Sequence, residues 1–132
     1  MWHETEIRVR YAETDQMGIV HHSNYYVWFE LGRSELCRAK GFSYRDMEAK
    51  DGALLVVTES NCRYKSAAFY DDFLTIRTNV EKIRSRSIVF AYEIYRAEDD
   101  KILAVGKTLH IVTDRNSKII SFPEKYKNLL LD

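Results

Sequence analysis

Residues 11–25 read Tyr-Ala-Glu-Thr-Asp-Gln-Met-Gly-Ile-Val-His-His-Ser-Asn-Tyr. This stretch sets one carboxylate, Asp15, a glycine turn at Gly18 and a histidine, His22, just ahead of a segment rich in aromatic side chains. If that segment is a helix, its start offers backbone N–H groups without intrahelical acceptors and a partial positive charge. A carboxylate held beside such donors can attack a carbonyl that they polarise, or activate water to attack it. The chemistry this suggests is acyl transfer, most simply hydrolysis of an ester or thioester.

The surrounding elements must position these groups. Residues 4–11 alternate, with Ile7, Val9 and Tyr11 on one side, which predicts a first strand. From Asn24 to Lys40 the period becomes helical: Tyr25, Trp28, Phe29, Leu36 and Cys37 fall near one stripe, and Gly41 is placed to end the helix. Ser23 or Asn24 is positioned to cap its start, and the rod is about 24 Å long. Gly32 weakens the middle of this helix unless something packs closely there. Ser43 with Asp46 forms a capping pair for a short second helix through Ala49. Strands are expected over Leu54–Tyr64, Phe73–Ile83, Ser87–Arg96 and Ile102–Thr113, with turns at 98–101 and 114–117 and a short strand over Lys118–Phe122. Pro123 suits the first turn of a terminal helix.

This order places one long helix against an antiparallel sheet, an α+β arrangement. In the last long strand Ile102, Ala104 and Val112 lie on one face, and Leu103, Val105, Leu109 and Ile111 on the other. A single helix cannot cover two apolar faces, so the second is expected to meet another subunit, edge to edge or face to face.

The chain has 132 residues, 45% hydrophobic and 30% charged, with 5 Gly and a single Pro, which is the composition of one globular domain. Lys+Arg and Asp+Glu are 20 each, so no electrostatic argument favours nucleic acid or an anionic membrane. No apolar run of about 18 residues exists to span a membrane, and no secretory signal is expected at the N-terminus. Cys37 and Cys62 lack metal-ligand spacing and are expected as reduced core residues of a cytoplasmic protein.

The order Tyr11, Asp15, Gly18, Val20, His22 and Tyr25 or Tyr26 resembles the hotdog-fold acyl-CoA thioesterases, in the subgroup of 4-hydroxybenzoyl-CoA thioesterase and the Tol–Pal-associated thioesterases. Further matching positions are Trp28-Phe-Glu30 with Arg33, Tyr64, Asp71-Asp72-Phe73-Leu74 and Arg86-Ser-Ile-Val-Phe90, so the resemblance spans nearly the whole chain. The chain departs from the pattern at Ser66 and Ala67, where many relatives have Pro, and at Asp71, where many have Gly. The resemblance implies a single hotdog domain over residues 1–132, with an antiparallel five- to six-stranded sheet wrapped around one long helix. It also implies a homodimer or dimer of dimers with acyl-CoA bound across a subunit interface, and hydrolysis to free acid and coenzyme A without metal or cofactor. Hydrolysis of acyl carrier protein thioesters and non-catalytic acyl-CoA binding are the alternatives.

Within that frame Asp15 is the nucleophile or general base rather than a mere turn former. His22 contributes its backbone N–H to the thioester oxygen, or its side chain as a capping group or as an orienter of Asp15 or water. Tyr25, nearest the helix start, is the best acyl-pocket residue of an aromatic stripe that also reads as core. Lys82, Arg84 and Arg86, if extended, share one face and suit the phosphates of coenzyme A, with Ser87 and Lys65 as further contacts. Glu30 and Arg33 form a helix-surface pair or cross the dimer interface. His110 is expected in the core or at an interface.

Overall fold

The computed structural model describes residues 2–131. Strand β1 (His3–Arg8) alternates half-buried and exposed side chains. It ends earlier than its apolar pattern suggests, because Tyr11–Glu13 winds into a 3-10 turn that leaves Tyr11 exposed. Helix α1 (Asn24–Ala39) buries all five expected apolar residues, together with Gly32 and Arg33. A Schellman arrangement closes it: Gly41 has φ +105° and donates to the Arg38 carbonyl, while the Phe42 N–H reaches the Cys37 carbonyl. The expected side-chain cap at the other end is absent. Ser23 makes no capping hydrogen bond, and Asn24 instead donates Nδ2–H to the carbonyls of Glu13 and His21.

Helix α2 (Tyr44–Asp51) starts as expected, with the Asp46 N–H donating to Ser43 Oγ at 3.1 Å. Strands β2 (Leu54–Tyr64), β3 (Phe73–Ile83), β4 (Ser87–Arg96) and β5 (Lys101–Thr113) follow, and α3 (Glu124–Leu131) closes the chain. The sheet has five strands in the order β1-β3-β4-β5-β2, all pairs antiparallel. Residues 118–122 do not form the expected strand, since only an isolated Thr113–Ile119 bridge ties them to the sheet.

The inner face of the sheet carries Leu74, Ile76, Ile88, Phe90, Tyr92, Ile94 and Val112, all buried beneath α1 or its flanks. Phe29 stacks on Tyr92 with ring centroids 4.2 Å apart. Gly32 has the close neighbour its position demanded: a Cβ there would press on Thr78 Oγ1 and sit 2.9 Å from Ile76 Cγ2. Across the sheet Thr78, Tyr92, Gly106 and Cys62 form one row, so the row beneath the middle of α1 meets β2 two residues from its Tyr64 end.

Three bulges correct the simple alternation; one is at Thr58 of β2, between Val57 opposite His110 and Glu59 opposite Leu109. Opposite Ile94 and Tyr95, Leu103 is the extra residue of β5, so Leu103 and Ala104 are both buried and Ile102 leaves the face of Ala104. The third, at Glu81, precedes Lys82, and Arg84–Arg86 form the β3–β4 turn, where the Arg84 N–H bonds the Ser87 carbonyl. The three basic residues therefore do not share an extended face. The outer face keeps half-buried Val89, Val105, Leu109 and Ile111 with no helix over it. Among the described residues no helix is long and apolar enough to cross a membrane.

Candidate functional site

Asp15 opens a tight turn. The Gly18 N–H donates to the Asp15 carbonyl at 3.0 Å, and the Asp15 N–H donates to the Ile19 carbonyl at 2.8 Å. Gly18 sits at φ +83°, where a side chain would be strained. The carboxylate accepts the Met17 N–H on Oδ1 at 2.9 Å, the usual role of Asp in a turn. That bond uses one oxygen and fixes the side chain. Among the described residues Oδ2 accepts no hydrogen bond, so turn building and chemistry are compatible in the same residue.

Glu13 holds this turn against the helix, a role its sequence position did not announce. Its carboxylate is 5% exposed. It accepts the Arg10 N–H at 2.8 Å and the Trp28 Nε1–H at 3.2 Å. Its carbonyl accepts the His21 N–H at 2.8 Å and Asn24 Nδ2–H at 2.9 Å. Burial alone would raise its pKa, but the hydrogen bonds from Arg10 and Trp28 outweigh burial and hold it below the usual value. A signal was available: Glu13 lies between two motif positions and faces a helical Trp with an N–H to satisfy.

The helix start differs from a freely open one. The Asn24 and Tyr25 N–H groups bond the carbonyls of His21 and His22, and the Ser23 N–H bonds His21 Nδ1. Among the described residues the His22 N–H has no acceptor, which leaves one backbone donor available to a substrate oxygen. The His22 imidazole stacks on His21 and meets Tyr64 edge-on at 6.3 Å. It lies in no hydrogen bond with Asp15. Tyr64 pins the turn to β2, donating its hydroxyl to the His22 carbonyl at 3.2 Å.

Asp15, His22, Tyr25, Tyr64 and Lys65 line one cavity of about 340 Å³, with Ile19, Val20 and Ala67 as apolar wall. Tyr25 is buried rather than open, packed edge-on to Trp28 and Tyr64, and burial pushes its phenol up to about 12. Ala67 is held from outside the cavity by Arg96, which donates to its carbonyl and pairs with Asp72 at 3.2 Å. Asp71 takes φ +70°, a left-handed conformation that Gly adopts freely and Asp tolerates.

Arg84, Arg86 and Ser87 lie elsewhere. Tyr64 pairs across Ala104 with Ile94, and Ser87 stands seven residues along β4 from Ile94. At the rise of a strand that is about 23 Å. Within one chain these residues do not reach the cavity. Arg84 and Ser87 flank a second hollow with Lys82, Val89, Leu109 and Ile111 on the outer face. Glu30 and Arg33 do not pair: Glu30 is exposed, and Arg33 is buried beside Tyr92. His110 is fully buried, its Nε2 2.8 Å from Thr108 Oγ1. Cys37 and Cys62 are free thiols.

A helix laid across an antiparallel five-stranded sheet, with a carboxylate and an unused backbone N–H at one cavity, defines a hotdog-fold protein of the thioesterase class. The chain belongs to the thioesterase-like superfamily, whose family model matches residues 9–130. Bacillus subtilis YneP, named as a candidate acyl-CoA thioesterase, is 41% identical over 122 residues, covering 92% of this chain and 87% of its own. The solved structure of DHNA-CoA thioesterase from Staphylococcus aureus is 36% identical, covers 97% of this chain and 87% of its own, and superposes with a TM-score of 0.92. That of 4-hydroxybenzoyl CoA thioesterase from Pseudomonas, 21% identical, shares the fold with a TM-score of 0.87 over 97% of this chain and 98% of its own.

Proposed function

We propose that this protein hydrolyses acyl-CoA thioesters to a free acid and coenzyme A, in a pocket completed by a second copy of the chain. The observation that carries the reading is the single cavity onto which the Asp15 carboxylate and His22 open together. The His22 N–H donates to the thioester carbonyl oxygen as negative charge develops there. Asp15 either attacks the carbonyl carbon, giving a mixed anhydride that water then cleaves, or takes a proton from an attacking water. Either route expels the coenzyme A thiolate and ends in the same acid and thiol. The names of YneP and the Staphylococcus aureus enzyme support a coenzyme A thioester as substrate.

What supports a second copy is the open edge of the sheet. β2 is an edge strand of 11 residues with no partner on its outer side among the described residues, and Val56 and Val57 are more than 40% exposed. Antiparallel pairing of two β2 edges sets the partner's Leu54 end beside Tyr64. The partner's β4 start then lies three strands away, about 14 Å. That brings Arg84, Arg86 and Ser87 of the partner subunit to the mouth of this cavity, where they and Lys65 contact the nucleotide phosphates. The test is release of thiol from a panel of aromatic and aliphatic acyl-CoAs, followed with a thiol-reactive chromophore. Turnover of at least one supports hydrolysis; measurable binding with no release from any of them overturns it.

A further inference from the structure

Arg33 is a buried cation without a counterion. It is 9% exposed, its Nη1 lies 3.5 Å from the Tyr92 hydroxyl, and its Nε has no hydrogen-bond partner. Among the described residues it joins no ion pair. Behind it runs a buried chain: the Tyr92 hydroxyl and Thr108 Oγ1 lie 2.6 Å apart, Thr108 Oγ1 and His110 Nε2 2.8 Å, and His110 Nδ1 stands 3.4 Å from the Leu55 carbonyl. Every link is satisfied if protons point from Arg33 toward Leu55, and none of these groups carries a negative charge. An isolated buried guanidinium is costly, so an anion outside this chain is called for.

Glu30 stands one helical turn earlier, exposed and outside any ion pair of its own among the described residues. Tyr26, Glu30 and Arg33 are spaced four and three apart, the spacing of a helix–helix seam. This side of α1 overlooks the open β2 edge: Tyr26 lies close to Tyr64, and Glu30 and Arg33 share a surface hollow with Leu55. We propose that Glu30 of a second copy supplies the counterion of Arg33, across a seam of two antiparallel α1 helices.

The inference rests on the dimer reading above and goes beyond it in fixing the register. A two-fold axis makes contacts reciprocal, so residue i meets j as j meets i. Centred between positions 30 and 33, the axis forms two Glu30–Arg33 pairs. Centred on position 33, it would force two guanidinium groups together. The pairing anchors α1, the helix that follows His22, and so ties each site to the other subunit.

Glu30→Gln tests this cleanly, because Glu30 is exposed in the single chain and an effect must come through a second copy. We expect its dimer dissociation constant, from sedimentation equilibrium, to rise about 100-fold or more, since both symmetry-related pairs are lost. A second measurement uses Arg33→Lys, a zero-length carbodiimide and an equal mixture of isotopically light and heavy copies. The expected product links Glu30 of one copy to the new amine at position 33 of the other, with one light and one heavy strand. A dimeric wild type whose dissociation constant changes less than about threefold in Glu30→Gln, with no mixed link, overturns the pairing and leaves the dimer standing. A wild type that is monomeric at micromolar concentration overturns both. Stabilisation of wild type and Glu30→Gln alike by inorganic phosphate, lost in Arg33→Lys, overturns it in favour of a free anion.

Discussion

Replacing Glu13 by Gln separates the account of the site's scaffold from that of its chemistry. The variant keeps an acceptor for the Arg10 N–H but turns either an amide donor or a neutral oxygen toward Trp28 Nε1. The Arg10 side chain is 75% exposed, so its ion pair with Glu13 contributes little. The loss is that of charge assistance in two buried hydrogen bonds, about 2 kcal/mol in all. For a chain of this size that lowers the melting temperature by roughly 6–10 °C. The effect must depend on pH with a definite sign. Because the folded pKa of Glu13 lies below its unfolded value, its contribution is fully present above the unfolded value, near 4.5, and is lost as pH falls through the folded value. Urea unfolding followed by circular dichroism at pH 7, and at steps below pH 4.5, measures both. Equal stability of the two proteins at pH 7, or a difference that persists unchanged into acid, would refute the reasoning.

Three further outcomes follow from the geometry. Gly32→Ala gains up to about 1 kcal/mol of helix propensity but presses on two fully buried neighbours, Thr78 and Ile76. Overpacking wins, and urea unfolding should show a net loss of about 1–2 kcal/mol; a stabilised variant would contradict the close approach. Burial and the nearby Arg33 charge push the His110 imidazole down to about 4. Its folded pKa is below the unfolded one, so stability is intact above pH 6.5 and falls by about 3 kcal/mol toward pH 4, a slope that His110→Asn should remove from the pH profile of urea midpoints. Replacing Arg84 and Arg86 together by Ala should raise KM for acyl-CoA at least about tenfold while leaving KM for a short pantetheine thioester within twofold; equal effects on both substrates would count against phosphate contact.

Much of this molecule was legible in its sequence. The strand boundaries of β2, β3 and β4 follow from β-branched and aromatic runs, and α1 from one clean apolar stripe closed by Gly41. Gly32 announced a close approach that Thr78 and Ile76 supply. What periodicity missed were breaks in periodicity. The bulges at Thr58, Glu81 and Leu103 insert one residue each, and no local propensity marks them. Tyr11 continued an apolar alternation but belongs to a 3-10 turn capped locally by Glu13 on Arg10, and Glu13 is in turn held by Trp28, a contact made only through tertiary structure. Arg33 read as a surface partner of Glu30 because their spacing is right; the direction of the helix face turned it inward instead. The cavity residues from two separate segments, Asp15 to Tyr25 and Tyr64 to Ala67, meet only because β2 ends beside the start of α1.

The central claim is that Asp15 performs the chemistry on a thioester held at the start of α1. Asp15→Asn is nearly isosteric and keeps an oxygen to accept the Met17 N–H, so the turn and the fold should survive. The most direct measurement is thiol release by this variant from the best acyl-CoA of the panel, beside calorimetric binding of the same compound and circular dichroism of the protein. We expect native folding, binding within a few fold of wild type, and a fall in kcat of about 1000-fold or more. A well-folded Asp15→Asn protein that turns over acyl-CoA at the wild-type rate would contradict the account.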